Sequence, residues 1–530
     1  MSALLSADDL NDFISPGLAC IKPAVPVNNQ GSSLGLINEN GEVEIQIDEL
    51  GNPLEISQID GKLHQLAPAE ISLSDCLACS GCITSAEEVL VAQHSHEQLI
   101  KALSRQDKVF VASISHQSRA SLATAFGYSV DHIDRLLINL FVNQMEFKYV
   151  VGTSLGRKLS LINEAVETIN KKQLGECGDA KGPILSLICP GWVLYAEKTH
   201  PHVLPRMSKV KSPQQITGCL LKHLAARELN TETSNIYHLS IMPCFDKKLE
   251  SARPEKEEEL NSTPDVDCVL TAKELVALLN EYEDKFTLNV PLEQLSQETS
   301  IETIYQQVAP QSWPFHNLAW ASDIGSASGG YGLNYLKMYQ NHLTINQGYE
   351  HDQFSIQTVV GKNSDIYEMR LMYNQEKVAT ACIMNGFRNI QNLVRKLKPG
   401  QATGKVNALA ARRRARMGKS ETSTTETVDA TKCDYIEVMA CPNGCINGGG
   451  QIQAPTDVDD KQWIQDMTKT YESILVYDLP AHMNTVDELI QWTANFCNEI
   501  GICPERLLNT WFKSVEPETD PNAIMVGAKW

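Results

Sequence analysis

The chain is expected to fold as an α/β protein, and two observations carry that expectation. Apolar runs at Lys108–Ser113, Phe147–Val151, Pro183–Ile188 and Ile236–Met242 read as buried strands, with helical patterns such as Ser115–Phe126 and Gly156–Ile169 between them. Strand alternating with helix implies a mostly parallel sheet covered on both faces. Two of the runs also lead straight into a cysteine, Cys189 and Cys244. Those thiols then sit just past the C-terminal ends of strands, where open α/β sheets hold their ligands.

At 530 residues the chain is too long for one core, and its 42% apolar and 21% charged content is that of a soluble globular protein. A formal charge of −20 argues against phosphate-driven nucleic-acid binding, which needs a basic face. Met1–Leu10 has no basic leader region and carries Asp8 and Asp9, and apolar stretches such as Leu136–Val142 are far too short to span a bilayer. Fifteen cysteines in such a chain read as thiols and metal ligands rather than disulfides. The cytoplasm is the expected compartment, with the nucleus as a second location. Neither nucleic acid nor membrane is expected as a partner.

The cysteines fall into two sets of four. The first is Cys20 with the run Cys76-Leu-Ala-Cys79-Ser-Gly-Cys82. Two-residue spacers let a short loop curl round a cubane so that successive thiolates reach different irons, while the fourth arrives from elsewhere. Zinc sites more often use separated pairs, so the triple run favours an iron–sulfur cluster over zinc or an inert loop. The second set is Cys189, Cys244, Cys441 and Cys445. In Cys441-Pro-Asn-Gly-Cys445-Ile-Asn-Gly-Gly-Gly450 two thiols stand four apart in a glycine-dense loop that lets backbone approach a cluster. Alone, that loop is equally a zinc half-site.

Three segments together resemble the signature motifs of iron-only hydrogenases: Ser186-Leu-Ile-Cys-Pro-Gly-Trp192, Met242-Pro-Cys-Phe-Asp-Lys-Lys-Leu-Glu250 and Glu437-Val-Met-Ala-Cys-Pro-Asn-Gly-Cys-Ile-Asn-Gly-Gly-Gly-Gln451. They follow the family order, and the resemblance covers roughly residues 104–515. It implies two α/β lobes clasping a cluster ligated by Cys189, Cys244, Cys441 and Cys445. One departure bears on activity. Where the hydrogenases carry a proton-relaying cysteine just before the first ligand, this chain has Ile188, and an isoleucine exchanges no protons. Lys247 matches a lysine that in the hydrogenases bonds a cyanide of the diiron unit; it also serves as a charge partner for an anionic cluster.

Ala19-Cys20-Ile-Lys-Pro23 and the segment Ile71–Glu87 narrow the resemblance to the hydrogenase-like cytosolic iron–sulfur assembly factors, the nuclear prelamin A recognition factor-like group. That resemblance implies a ferredoxin-like N-terminal segment, two [4Fe–4S] clusters and no diiron subsite. It also implies work between an early scaffold and a late targeting complex, with other cytosolic assembly proteins as partners. Family tails can end in an aromatic residue read by the targeting complex. Trp530 fits that pattern, whereas Ala528 and Lys529 depart from it.

The expected organisation is a cluster segment over 1–90 with a flexible loop over 28–59, a first lobe over 91–264 and a second over 265–398. A disordered insert over 399–432 carries Arg412–Arg416, read as solvated or as a nuclear-localisation or docking patch. A cluster-binding loop and helical cap around one strand, Ser473–Tyr477, follow over 433–515, with a tail over 516–530. Gly325–Gly330 reads as a small-residue turn that brings amides near an anion, or simply as a tight turn. The other cysteines, Cys177, Cys219, Cys268, Cys382, Cys433, Cys497 and Cys503, are expected to act as small hydrophobes. His94, His96, His200 and His202 are expected at the surface. No catalytic triad, phosphate loop or carboxylate pair stands out. An assembly factor that is not an enzyme is therefore the favoured reading, against an iron–sulfur redox enzyme or hydrogenase and, more weakly, a zinc-stabilised interaction protein.

Overall fold

The structure is a computed structural model that describes residues 43–47, 53–57, 63–65, 91, 93–105, 107–178, 181–253, 263–291, 295, 299–398 and 428–512. Cys20, Cys76, Cys79, Cys82, the Arg412–Arg416 run and Trp530 lie outside them. The chain divides into two compact units, Met1–Ile83 and Thr84–Trp530.

The first unit contains a three-stranded antiparallel sheet of β1 (Val43–Ile47), β2 (Pro53–Ser57) and β3 (Leu63–Gln65), in that order. The expectation of a flexible loop over 28–59 is corrected here, because β1 and β2 form a hairpin within it. Val43-Glu-Ile-Gln-Ile47 alternates apolar and polar residues, the period of a half-buried strand. The glycines and asparagines around it masked that signal.

In the second unit β4 (Val109–Ile114), β5 (Tyr149–Gly152), β7 (Ile236–Met242) and β8 (Cys268–Thr271) form an all-parallel sheet of order β5-β4-β7-β8. Every residue of β5 and β8 is buried, as apolar runs covered on both faces require. A second sheet has five strands. Here β10 (Phe354–Val360), β11 (Ile366–Tyr373) and β12 (Glu376–Asn385) make an antiparallel meander, whereas β12, β13 (Tyr435–Met439) and β6 (Ile184–Leu185) run parallel. A short parallel pair joins β9 (Ser322–Asp323) to β14 (Val476–Tyr477).

Two details depart from the expected strands. The run Pro183–Ile188 supplies only the two residues of β6, and these pair with β13 in the five-stranded sheet rather than with β4. Past the expected lobe boundary, β8 joins the first sheet. The helix Ser154–Gln173 packs on Pro213–Glu228, which covers β4 and β7, and also on Tyr331–Gln347, which covers β11, β12 and β13. It therefore cements the two sheets together. Gly156 permits the crossing, since a Cβ there would stand 2.3 Å from Thr217 Oγ1 and 2.6 Å from the Pro213 carbonyl. Among the described residues no helix is long and apolar enough to cross a membrane.

Burial corrects further expectations. His94 and His200 are buried rather than at the surface. The His94 ring accepts the Val269 N–H at 3.1 Å and bonds the Ser251 hydroxyl, and burial lowers its pKa to about 4. Cys503 is exposed and caps the helix Pro504–Leu508, so it is no core hydrophobe.

Candidate metal centre

Each cysteine of the second set leaves a strand end. Cys189 follows β6 and is the N-cap of the helix Pro190–Thr199, whose first residue is a proline with its φ already suited to a helix. Cys244 lies between β7 and the short helix Asp246–Ser251. Cys441 and Cys445 follow β13, the latter within the 3₁₀ turn Gly444–Asn447. The two sheets thus aim three strand ends at one place.

Backbone contacts weld those loops together. The Ala440 N–H donates to Cys189 Sγ at 3.3 Å, and the Ser186 hydroxyl accepts the Val438 N–H at 2.8 Å. The Gly450 N–H donates to the Pro243 carbonyl at 3.0 Å, which ties the glycine loop to the Cys244 turn. Gly448 lies against that same carbonyl, where a Cβ would come within 2.3 Å of the oxygen. The Gly386 N–H reaches the Cys441 carbonyl at 3.2 Å.

The four thiols sense one another. Burial, then the neighbouring Cys445, pushes Cys189 up to about 12. Cys244 is held well above the usual thiol range by burial, then by Asp246, Cys441, Cys445 and Cys189. Burial followed by Cys189 and Cys445 does the same to Cys441. Burial also raises Cys445, though a bond from Ser328 and the charges of Lys247 and Arg157 pull the other way. Four converging thiols are the donor type that metal ligation uses, and ligation would take them as thiolates. No three His, Cys, Asp or Glu side chains among the described residues stand close enough to hold a single metal ion. A cubane takes a set of four thiolates, one to each of its irons. The donor set therefore fits a [4Fe–4S] group.

The surroundings include residues that the sequence left unmarked. The Lys247 ammonium donates to the Ile188 carbonyl at 3.1 Å and to both Glu250 oxygens at 2.9 Å, so it is already partnered. The Ile188 side chain packs against the hydrophobic core. Asp246 is half-buried beside Gly191, and desolvation raises its carboxyl above the usual range. The Gly325–Gly330 turn gives an anion of the chain itself a hydroxyl rather than its amides, and the amide comes from the start of the helix that follows. Glu437 Oε2 accepts the Gly332 N–H at 3.0 Å, and the Ser326 hydroxyl donates to Oε1 at 2.5 Å. Two residues on, the Ser328 hydroxyl bonds the Cys445 amide. The density of glycine and serine in that turn was the available signal for both contacts.

The family described as "Iron only hydrogenase large subunit, C-terminal domain" matches residues 108–449. The "Cytosolic Fe-S cluster assembly factor NAR1" of Scheffersomyces stipitis is 62% identical, over 100% of both chains. Its counterpart of the same name in Saccharomyces cerevisiae is 40% identical over 89% of this chain and 90% of that one. Among solved structures, apo [FeFe]-hydrogenase HydA1 from Chlamydomonas reinhardtii superposes at a TM-score of 0.54 with 18% identity, over 81% of this chain and 99% of that one. That likeness shows the α/β fold of hydrogenase type. Full-length kinship with the assembly factors, on a hydrogenase fold whose strand ends gather four cysteines, shows that the chain belongs to the hydrogenase-like cytosolic Fe–S cluster assembly factor family, the prelamin A recognition factor-like group.

Proposed function

We propose that this chain is a component of the cytosolic iron–sulfur protein assembly machinery, not an enzyme, and acts between an early scaffold and a late targeting complex. It binds two [4Fe–4S] clusters, one on Cys20, Cys76, Cys79 and Cys82 and one on Cys189, Cys244, Cys441 and Cys445. Its partners are other cytosolic assembly proteins, with Trp530 as an anchor for the targeting complex, and its place is the cytoplasm with a share in the nucleus. The single observation that carries this reading is the convergence of four mutually coupled thiols beside a position, Ile188, with no proton to give. A hydrogenase needs a titratable group next to its reacting metal, and Ile188 offers the site only a carbonyl, already bonded to Lys247.

The second centre's residues bind and orient. Cys189 and Cys244 come from rigid strand ends, Cys441 and Cys445 from a loop stapled to both sheets, and Lys247 places positive charge near Cys445. A cluster held there supplies thiolate-bound iron in exchange for the four thiol protons. The test is conditional depletion in the protein's own cells, with a cytosolic [4Fe–4S] enzyme assayed beside a mitochondrial one. Loss of the cytosolic activity alone supports the reading, and persistence of both sinks it. Infrared bands of carbon monoxide and cyanide in an anaerobic preparation would instead establish a hydrogenase.

A further inference from the structure

Three Asn-Gly pairs gather round the thiol loop: Asn385-Gly386, Asn443-Gly444 and Asn447-Gly448. Each glycine N–H donates to the carbonyl of a ligand cysteine. Gly386 and Gly444 share that of Cys441, at 3.2 and 3.1 Å, and Gly448 bonds that of Cys445 at 3.2 Å. Asparagine before glycine is the amide most prone to lose ammonia, because no side chain shields the attacking nitrogen. The loop therefore concentrates a chemical weakness and ties down the nitrogen that would start it.

The three pairs differ in how firmly they are held. Asn385 is buried, and its glycine also donates to the Met439 carbonyl at 2.9 Å. The Asn447 carboxamide donates to the Pro442 carbonyl at 3.2 Å. Asn443 is exposed, and its N–H donates to Asp365 Oδ1 at 2.7 Å. Its backbone is left-handed, with φ 60° and ψ 8°. Ring closure must bring the Gly444 nitrogen to the same side of the Cα–C bond as the Asn443 Cβ, which that ψ does not. Turning ψ breaks the Gly444–Cys441 bond and disturbs the spacer between two cysteines. A cluster gripping both Cys441 and Cys445 opposes that turn from either side.

We infer that Asn443-Gly444 is a deamidation site held in check by a filled second centre, and that its reaction permanently marks chains that have lost the cluster. The Gly444 nitrogen gives its proton to water and bonds the Asn443 Cγ, and Nδ2 leaves as ammonia. Water then opens the succinimide at either carbonyl, with no change of oxidation state. One opening gives aspartate. The other gives isoaspartate, whose main chain runs through Cβ and Cγ and so gains a methylene between Cys441 and Cys445. Either product adds a negative charge beside thiolates that must carry an anionic group, and isoaspartate also spoils their spacing. The inference rests on the cluster proposed for this centre.

The test uses full-length protein, one half iron-loaded and the other stripped with a chelator, both kept anaerobic at mildly alkaline pH. Peptide mass spectrometry follows all three asparagines. Asn443 is expected to react about tenfold faster in the stripped form, as a locally opened loop allows, and ahead of Asn447 and Asn385. Stripped protein refilled after ageing is expected to regain only about half its iron, the content of one cubane. Asn443→Gln, whose longer amide cyclises far more slowly, is expected to refill completely after the same ageing. Glutamine takes such a backbone elsewhere in this chain, at Gln375 with φ 68°. Equal rates in the two forms, or first reaction at Asn385 or Asn447, would overturn the proposal. Full retention of iron by Cys445→Ala would instead overturn the cluster assignment beneath it.

Discussion

The Ser328 hydroxyl accepts the backbone N–H of Cys445 at 2.9 Å, so the turn ahead of the helix Tyr331–Gln347 holds the loop that carries two of the four thiols. Ser328→Ala leaves that partly buried amide without its acceptor, a loss of about 1–3 kcal/mol. Iron is then expected to leave the purified protein faster when a chelator is added. Threonine at the same position keeps the hydroxyl and is expected to restore the wild-type rate. Identical release from wild type and the alanine variant would show that the bond does not secure the loop.

The Gly448 Cα faces the Pro243 carbonyl so closely that a methyl group there would meet it at 2.3 Å. Neither partner is a flexible side-chain end, so Gly448→Ala must part the Cys441–Cys445 loop from the Cys244 turn. Bound iron and sulfide are expected to fall by about half, to the content of one cubane, as they would in Cys445→Ala. Chemical iron and sulfide assays read the outcome. A full complement in Gly448→Ala would mean that the two loops need not touch.

Arg119 and Asp134 form a buried two-pronged ion pair, with Arg119 Nε to Asp134 Oδ1 at 2.8 Å, and Tyr305 donates a further bond to Asp134 at 2.6 Å. The guanidinium also lies 5.0 Å from the Trp320 ring. Asp134→Ala strands a buried cation and is expected to cost about 3–5 kcal/mol, read as a lower urea midpoint. Replacing both partners with apolar residues is expected to cost less than the single change.

Glu164 is buried between the Ser208 hydroxyl at 2.5 Å and the Tyr435 hydroxyl at 2.8 Å, and burial above all pushes its pKa up to about 8. Between the ordinary glutamate value and 8 the folded chain keeps a proton that the unfolded chain has lost. Stability therefore falls as pH rises through that window, by a few kcal/mol in total at about 1.4 per unit. Glu164→Gln carries no such proton. Urea midpoints of the two proteins at pH 5.5, 6.5 and 7.5 are expected to shift progressively in favour of the variant, and a constant gap would contradict the account.

Much of the second centre was legible because its signals are local. A strand running into Cys244, a proline after Cys189 and glycines round Cys445 each state their geometry within a few residues. What escaped the sequence depends on distant partners. Nothing near His94 announces that Lys248, Ser251 and Val269 will bury it, and nothing near Glu437 announces the amide of Gly332. The run Pro183–Ile188 has the composition of a full strand, but only Ile184 and Leu185 pair with β13, and by Cys189 the chain has turned into a helix. Apolar content sets burial, while the neighbouring strand decides how much of a run is paired.

The pairing of β6 with β13 has a consequence for how the protein is made. Ile184 donates to the Asp434 carbonyl and Ser186 to that of Ile436, so Cys189 gains its neighbours only after residues far along the chain have left the ribosome. A nascent chain emerging through Cys244 holds two of the second centre's thiols with no site to place them in. The Cys76–Cys82 run, by contrast, is complete early in synthesis. If both sets hold clusters as proposed, the order of translation lets the first set fill before the second.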